Sequence, residues 1–150
     1  MVSNEFNLYK HLRDSWYHGK SEEFESILAS TGDNFDPNFV IADRPLLALA
    51  ARMGSLKAME NLLARGAYVT GPGPVYPLSE ARGLESIRYL LQAGATPNIA
   101  GAFGLTPLMS WSLEGRHEVL TELLSHHADV DLQDDDGRTA LWSQKFFLGG

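Results

Sequence analysis

Paired apolar residues recur along this chain at a spacing that leaves few folds open. Leu62-Leu63, Leu90-Leu91 and Leu123-Leu124 each precede a turn-like element: Ala64-Arg65-Gly66-Ala67, Gln92-Ala93-Gly94-Ala95 and Ser125-His126-His127-Ala128. With Ile27-Leu28, ahead of Gly32, the doublets step by 35, 28 and 33 residues. A second landmark, Thr106-Pro107-Leu108, returns 33 positions later as Thr139-Ala140-Leu141, with Pro77-Leu78 and Pro45-Leu46 as weaker copies upstream. A period in this range marks stacked units, none of which buries its apolar face alone.

Inside each unit the apolar positions keep helical spacing. Leu56, Met59 and Leu63 fall at i, i+3 and i+7, and Ile87, Leu90 and Leu91 at i, i+3 and i+4. Val119, Leu120, Leu123 and Leu124 repeat the pattern. Gly54 and Gly115 break the chain eight or nine residues after the Pro-Leu landmark, so each unit reads as two short helices around a glycine turn. Proline opens the first helix, where a missing N–H costs nothing. Gly66 and Gly94 stand where a helix end needs a positive φ. The expectation is an all-α solenoid with about nine short helices and no extended sheet.

Composition narrows the function. The 150 residues fit one domain, spanning 1–150. Nineteen acidic against twelve basic side chains leave a net charge of −7. That balance argues against nucleic acid or an anionic membrane as the main partner, since both require a basic face. Zero cysteines exclude disulfides, a thiol nucleophile and Cys-ligated zinc. With no basic start, no long apolar run and no glycosylation sequon, the chain reads as soluble and cytoplasmic.

Each catalytic signature fails at a named position. Gly19-Lys20-Ser21 resembles the end of a phosphate loop, but the required upstream glycine is Asp14. His117-Glu118 opens a zinc-protease pattern whose second histidine position holds Thr121. Aligning the acidic run on Gly137 as a calcium loop puts Leu132 at the first ligand position and Ser143 at the last. Adjacent His126 and His127 point about 100° apart on a helix, so they do not share a metal. Ser110 and Ser112 flank Trp111 with no nucleophile elbow. No catalytic residue, metal site or cofactor is expected.

The units 45–68, 106–131 and 134–147 resemble the ankyrin repeat. Asp134-Asp135-Asp136-Gly137-Arg138-Thr139-Ala140-Leu141, His127-Ala128-Asp129-Val130-Asp131 and Ala50-Ala51-Arg52-Met53-Gly54 carry the likeness, which extends over residues 35–148. The family's loop-tying histidine after Thr-Pro-Leu is absent from every copy, with Ala48, Ser79, Met109 and Trp142 near its place. The third unit is shortened around Gly71-Pro72-Gly73-Pro74, and the last is truncated. Residues 1–34 match only loosely. Leu8, Leu12 and Trp16 share one helical face and Phe24, Ile27 and Leu28 another, which suits a helical hairpin capping the array.

The resemblance implies protein binding, without catalysis or cofactor, through the concave groove of fingers and first helices. Its variable positions fall on Ile41, Ala42, Arg44, Arg52 and Met53 in the second unit, and on Val75 and Tyr76 in the third. In the fourth they are Ala102, Phe103, Leu105, Leu113 and Glu114, and in the last Asp135, Asp136 and Arg138. Phe103 and Arg44 are the expected hot spots, with little cost to stability on truncation. An adaptor or inhibitor that binds one protein partner as a monomer is the leading reading. Two alternatives stay open: an enzyme-inhibiting or toxin-neutralising protein using its acidic C-terminal face, and a fragment of a larger multidomain protein. Residues 114–136 hold eight acids and one base, which serve either solubility or the steering of a basic partner. Phe146, Phe147 and Leu148 form an apolar end that must pack back, dimerise or meet a partner. Hydrogen exchange is expected to open residues 139–150 well before 55–93, and equal protection would count against this.

Overall fold

The computed structural model describes residues 2–70 and 75–142, with side chains from residue 6 onward. Gly71-Pro72-Gly73-Pro74 and the end Phe146-Phe147-Leu148 lie outside the described residues. Among those described, eight α-helices form four hairpins. These are α1 (Val2–Tyr17) with α2 (Ser21–Ala29), α3 (Leu46–Met53) with α4 (Leu56–Ala64), α5 (Pro77–Glu80) with α6 (Leu84–Gln92), and α7 (Pro107–Glu114) with α8 (His117–Ser125). Helices α3, α5 and α7 pack in one row and α2, α4, α6 and α8 in a second. Strands β1 (Val40–Ile41) and β2 (Arg44–Pro45) make one small antiparallel finger, Val40 opposite Pro45 and Ile41 opposite Arg44.

The core runs unbroken through the stack, from Leu12 and Phe24 through Leu47, Met59 and Leu62 to Leu90, Leu108 and Leu123. These are the helical-period positions of the sequence, so the hydrophobic term drives both hairpin closure and stacking.

Helix ends explain the recurrent glycines. After α4, Ala67 N–H donates to the Leu62 carbonyl at 2.9 Å and Gly66 N–H to Leu63 at 3.0 Å. After α6, Ala95 and Gly94 repeat this to Leu90 and Leu91 at the same distances. This closure needs a left-handed residue, supplied by Gly66 at φ +91° and Gly94 at φ +95°. The same closure follows α8, but there the left-handed residue is His127 at φ +63°.

Two departures from expectation have local causes. Pro77 and Pro107 open α5 and α7, but Pro45 stands one place earlier, at the N-cap of α3. Its ring closes β2 opposite Val40, so Leu46 takes the first helical position. Helix α5 is only four residues long. The chain leaving it runs extended, and Arg82 N–H donates to the Ala51 carbonyl at the end of α3, 2.9 Å away. The Ala51 carbonyl also accepts from Gly54 N–H at 3.1 Å, so this helix end is doubly tied.

Asparagines tie the loops together where the family histidine is missing. Asn38 Oδ1 accepts from Tyr68 N–H at 2.8 Å, and its Nδ2 donates to the Gly66 carbonyl at 3.3 Å. Asn98 repeats both contacts one pair of loops further on, to Asp129 N–H at 2.7 Å and the His127 carbonyl at 3.4 Å. Met109 caps α7 instead: Thr106 Oγ1 accepts from Met109 N–H at 3.3 Å, and the Met109 thioether accepts from Thr106 N–H at 3.5 Å.

His127→Gly relieves a left-handed non-glycine residue that costs about 1 kcal/mol, less the extra entropy of glycine in the unfolded chain. A net gain of about 0.5 kcal/mol, a rise of roughly one or two degrees in Tm, is expected by thermal circular dichroism.

Candidate functional site: the finger and first-helix face

The N-caps Pro45, Tyr76 and Thr106 set the register of the concave face. Counting back from them, Ile41-Ala42-Asp43-Arg44 and Ala102-Phe103-Gly104-Leu105 are equivalent fingers, and Asp135-Asp136-Gly137-Arg138 follows by the sequence repeat. Backbone conformation confirms the match of the first two. Ala42 and Asp43 have φ of +50° and +63°, while Phe103 and Gly104 have +60° and +72°.

The last two fingers touch through their backbones. Asp135 N–H donates to the Phe103 carbonyl at 3.0 Å. A Cβ on Gly104 would come within 2.6 Å of Asp135 Oδ1 and 2.9 Å of Asp135 N, so the position requires glycine for space as well as for φ. Phe103 itself is 76% exposed. Ala102, Leu113, Glu114, Asp135 and Asp136 are exposed as well, with Met53, Val75, Tyr76 and Leu105 half-buried.

Ile41 leaves the set. It is only 6% exposed, because strand alternation turns Val40 outward and Ile41 into the core. The arginines of the second unit are committed to the fold. Glu80 Oε2 on α5 accepts from Arg44 Nε at 3.4 Å and from Arg52 at 2.8 Å, and the Arg44 guanidinium lies 5.9 Å from the Trp16 ring centre. Arg44 thus joins finger, α1 and α5, so its truncation removes contacts within the fold as well as a groove side chain.

In the last finger, Asp134 is the organiser. Its Oδ1 accepts from Arg138 N–H at 2.8 Å and Asp136 N–H at 3.0 Å, and its Oδ2 from Arg138 Nε at 2.9 Å. The backbone bond from Arg138 chiefly, with its guanidinium, holds the Asp134 carboxyl below the usual carboxylate range. This stabilisation is present above that range and is lost as pH falls through the lowered value. Arg138 also pairs with Asp136 and lies 5.2 Å from the Trp142 ring centre.

The sequence reading passed over one part of this face. A cleft of about 410 Å³ between α1 and β1 brings Phe6, Tyr9, Lys10 and Arg13 beside Val40. Among the described residues no group of three or more His, Asp or Glu could hold a metal ion. Nor is any described helix long and apolar enough to cross a membrane.

A family model of ankyrin repeats, three copies, matches residues 78–143. The chain belongs to the ankyrin-repeat family. It is 30% identical over 122 residues to the human SH3 and multiple ankyrin repeat domains protein 2, covering 75% of this chain and 7% of that protein. It is 33% identical over 112 residues to human Rabankyrin-5, covering 74% of this chain and 9% of that protein. An ankyrin repeat-containing protein of Treponema pallidum (strain Nichols) is 33% identical over 115 residues, 69% of this chain and 37% of its own length. The chain therefore spans between 7% and 37% of the lengths of these relatives.

Ankyrin repeats are generally protein–protein interaction modules rather than catalysts. In this ankyrin stack the shortened third unit is secured by the Glu80 clasp, which links two units across α3 and α5. Glu80→Gln should lower stability by about 0.5–1 kcal/mol, as expected for part-exposed ion pairs. Urea unfolding with an unchanged m-value would show it, and a wild-type midpoint would dismiss the clasp.

Proposed function

We propose that this chain is a non-enzymatic protein-binding module, an adaptor or inhibitor that engages one protein partner through its finger and first-helix face. In this reading residues 1–150 act as one domain in the cytoplasm, with the α1–α2 hairpin capping the array.

Phe103 carries the proposal. A bulky side chain at φ +60° is conformationally costly, and a ring 76% exposed recovers nothing from the core. Its own backbone is held by Asp135, so the ring is presented on a fixed platform. The finger turn imposes the left-handed conformation, as it does at Ala42 with φ +50°, and an exposed aromatic placed there favours a binding role over a folding one. Leu113, exposed at the equivalent end of α7, and half-buried Leu105 and Met53 supply apolar surface on the same side of the repeat.

The acidic-face reading draws less support. Within residues 114–136, Glu122 is paired with Arg88, and Asp134 and Asp136 with Arg138. Those carboxylates are occupied in holding the fold.

The test begins with affinity capture from the native host and identification of the partner by mass spectrometry. Phe103→Asn keeps a residue that tolerates the left-handed conformation and removes the ring. With Leu113→Ala it should weaken binding at least tenfold, about 1.4 kcal/mol, while Tm holds or rises. Wild-type affinity in that double variant would overturn the reading and make residues 114–136 the next surface to test.

A further inference from the structure

Helix α1 has two faces of different chemistry. Leu12 and Ser15 are buried against the stack. The opposite side presents Phe6, Lys10, Arg13 and Tyr17 at helical spacing, and Phe6 is 72% exposed. The β1 finger lies along this side. Tyr9 stacks on Phe39 with ring centres 3.6 Å apart and 18° between planes, which holds the strand against the helix. Val40, 43% exposed, then completes an open cleft of about 410 Å³ with Phe6, Tyr9, Lys10 and Arg13.

The charge of this cleft is opposite to that of the chain. Among the described residues its lining holds two cations and no carboxylate, although the net charge is −7. Arg13 reaches Asp14 at 3.1 Å, but Asp14 is not part of the lining. Two cations are too few for a nucleic-acid backbone, where affinity grows with each phosphate neutralised. They suffice to orient carboxylates beside an apolar anchor.

We propose that this cleft takes an acidic peptide segment of a protein partner. An aliphatic or aromatic side chain enters between Phe6, Tyr9 and Val40, and its flanking carboxylates meet Lys10 and Arg13. The assignment rests on the protein-binding reading above and narrows the chemistry of the partner.

Three fluorescein-labelled synthetic peptides of equal length test it by polarisation against the full chain. The first carries aspartate, glutamate, leucine and phenylalanine. The second replaces each acid by lysine, and the third replaces each apolar residue by serine. The first should saturate and bind at least tenfold tighter than the others, with affinity falling as salt rises. Lys10→Glu with Arg13→Glu should weaken it at least tenfold, and Lys10→Gln with Arg13→Gln by less. Both cations are exposed, so circular dichroism should remain that of the wild type.

Absence of saturation, equal binding of the lysine or serine peptide, or indifference to charge reversal would overturn the proposal. So would tighter competition by a single-stranded oligonucleotide. Phe103→Asn should leave peptide binding unchanged, which separates the two readings. If the captured partner depends on Phe103 while no peptide binds, the cleft assignment alone falls. If peptide binding tracks Lys10 and Arg13 while the partner ignores Phe103, the finger reading falls and the cleft stands.

Discussion

No helical hairpin in this chain covers its own apolar face; the next hairpin along does so. Leu47, Leu78 and Leu108 occupy one repeat position and are all buried, the last at 4% exposure. Leu141, the same position one unit later, is 67% exposed among the described residues. Leu47, Leu78 and Leu108 each belong to a unit followed by or packed on another hairpin, and no described hairpin follows Leu141. Stability in such an array is a property of interfaces between units more than of units. That is why a four-residue α5 is tolerated between intact neighbours: its partners supply the apolar contact that its own length cannot.

Much of this was legible in the sequence, because a period near 33 residues fixes which positions face the next unit. The doublets, the turn glycines and the short third unit all follow from counting. What counting misses is register inside a finger. Ile41 reads as a variable loop position, yet β pairing sends it inward and Val40 outward, and a shift of one residue would exchange them. Pro45 misleads for the same reason, since it closes the hairpin instead of opening the helix. The face of α1 was half legible. Leu8, Leu12 and Trp16 point to the core as spaced, but the search for apolar periodicity gives no weight to Phe6, Lys10 and Arg13. Their cleft exists only once Phe39 stacks on Tyr9.

Charge was the least legible, and the repeat explains why. Windows along the chain show residues 114–136 as strongly acidic, but charges in a stacked array meet across units. Arg44 and Glu80 are 36 residues apart, Arg52 and Glu80 28, and Arg88 and Glu122 34. The polar ties obey the same rule. Arg65, the C-cap of α4, donates to Thr31 Oγ1, 34 residues back, and to the Leu28 and Thr31 carbonyls at the end of α2. There it satisfies helix-end acceptors and lies where a cation is favoured by the dipole. Its guanidinium also sits 5.6 Å from the Phe35 ring centre.

The repeat period is thus an electrostatic period too. For Glu80 and Glu122 an arginine partner is found about one unit away, outside a window of ten residues, while Asp134 and Asp136 meet Arg138 locally. Read at that spacing, Glu122 belongs with Arg88 on α6 and leaves the acidic cluster, while Arg44 belongs with Glu80 and leaves the set of free groove cations. Lys10 and Arg13 are exposed beside β1, on the first hairpin of the described stack. A terminal hairpin has a stacking neighbour on one side only. Its ion pairs are local, Arg13 with Asp14 and Lys20 with Glu23, and the carboxylates of the proposed peptide would compete with Asp14 for Arg13.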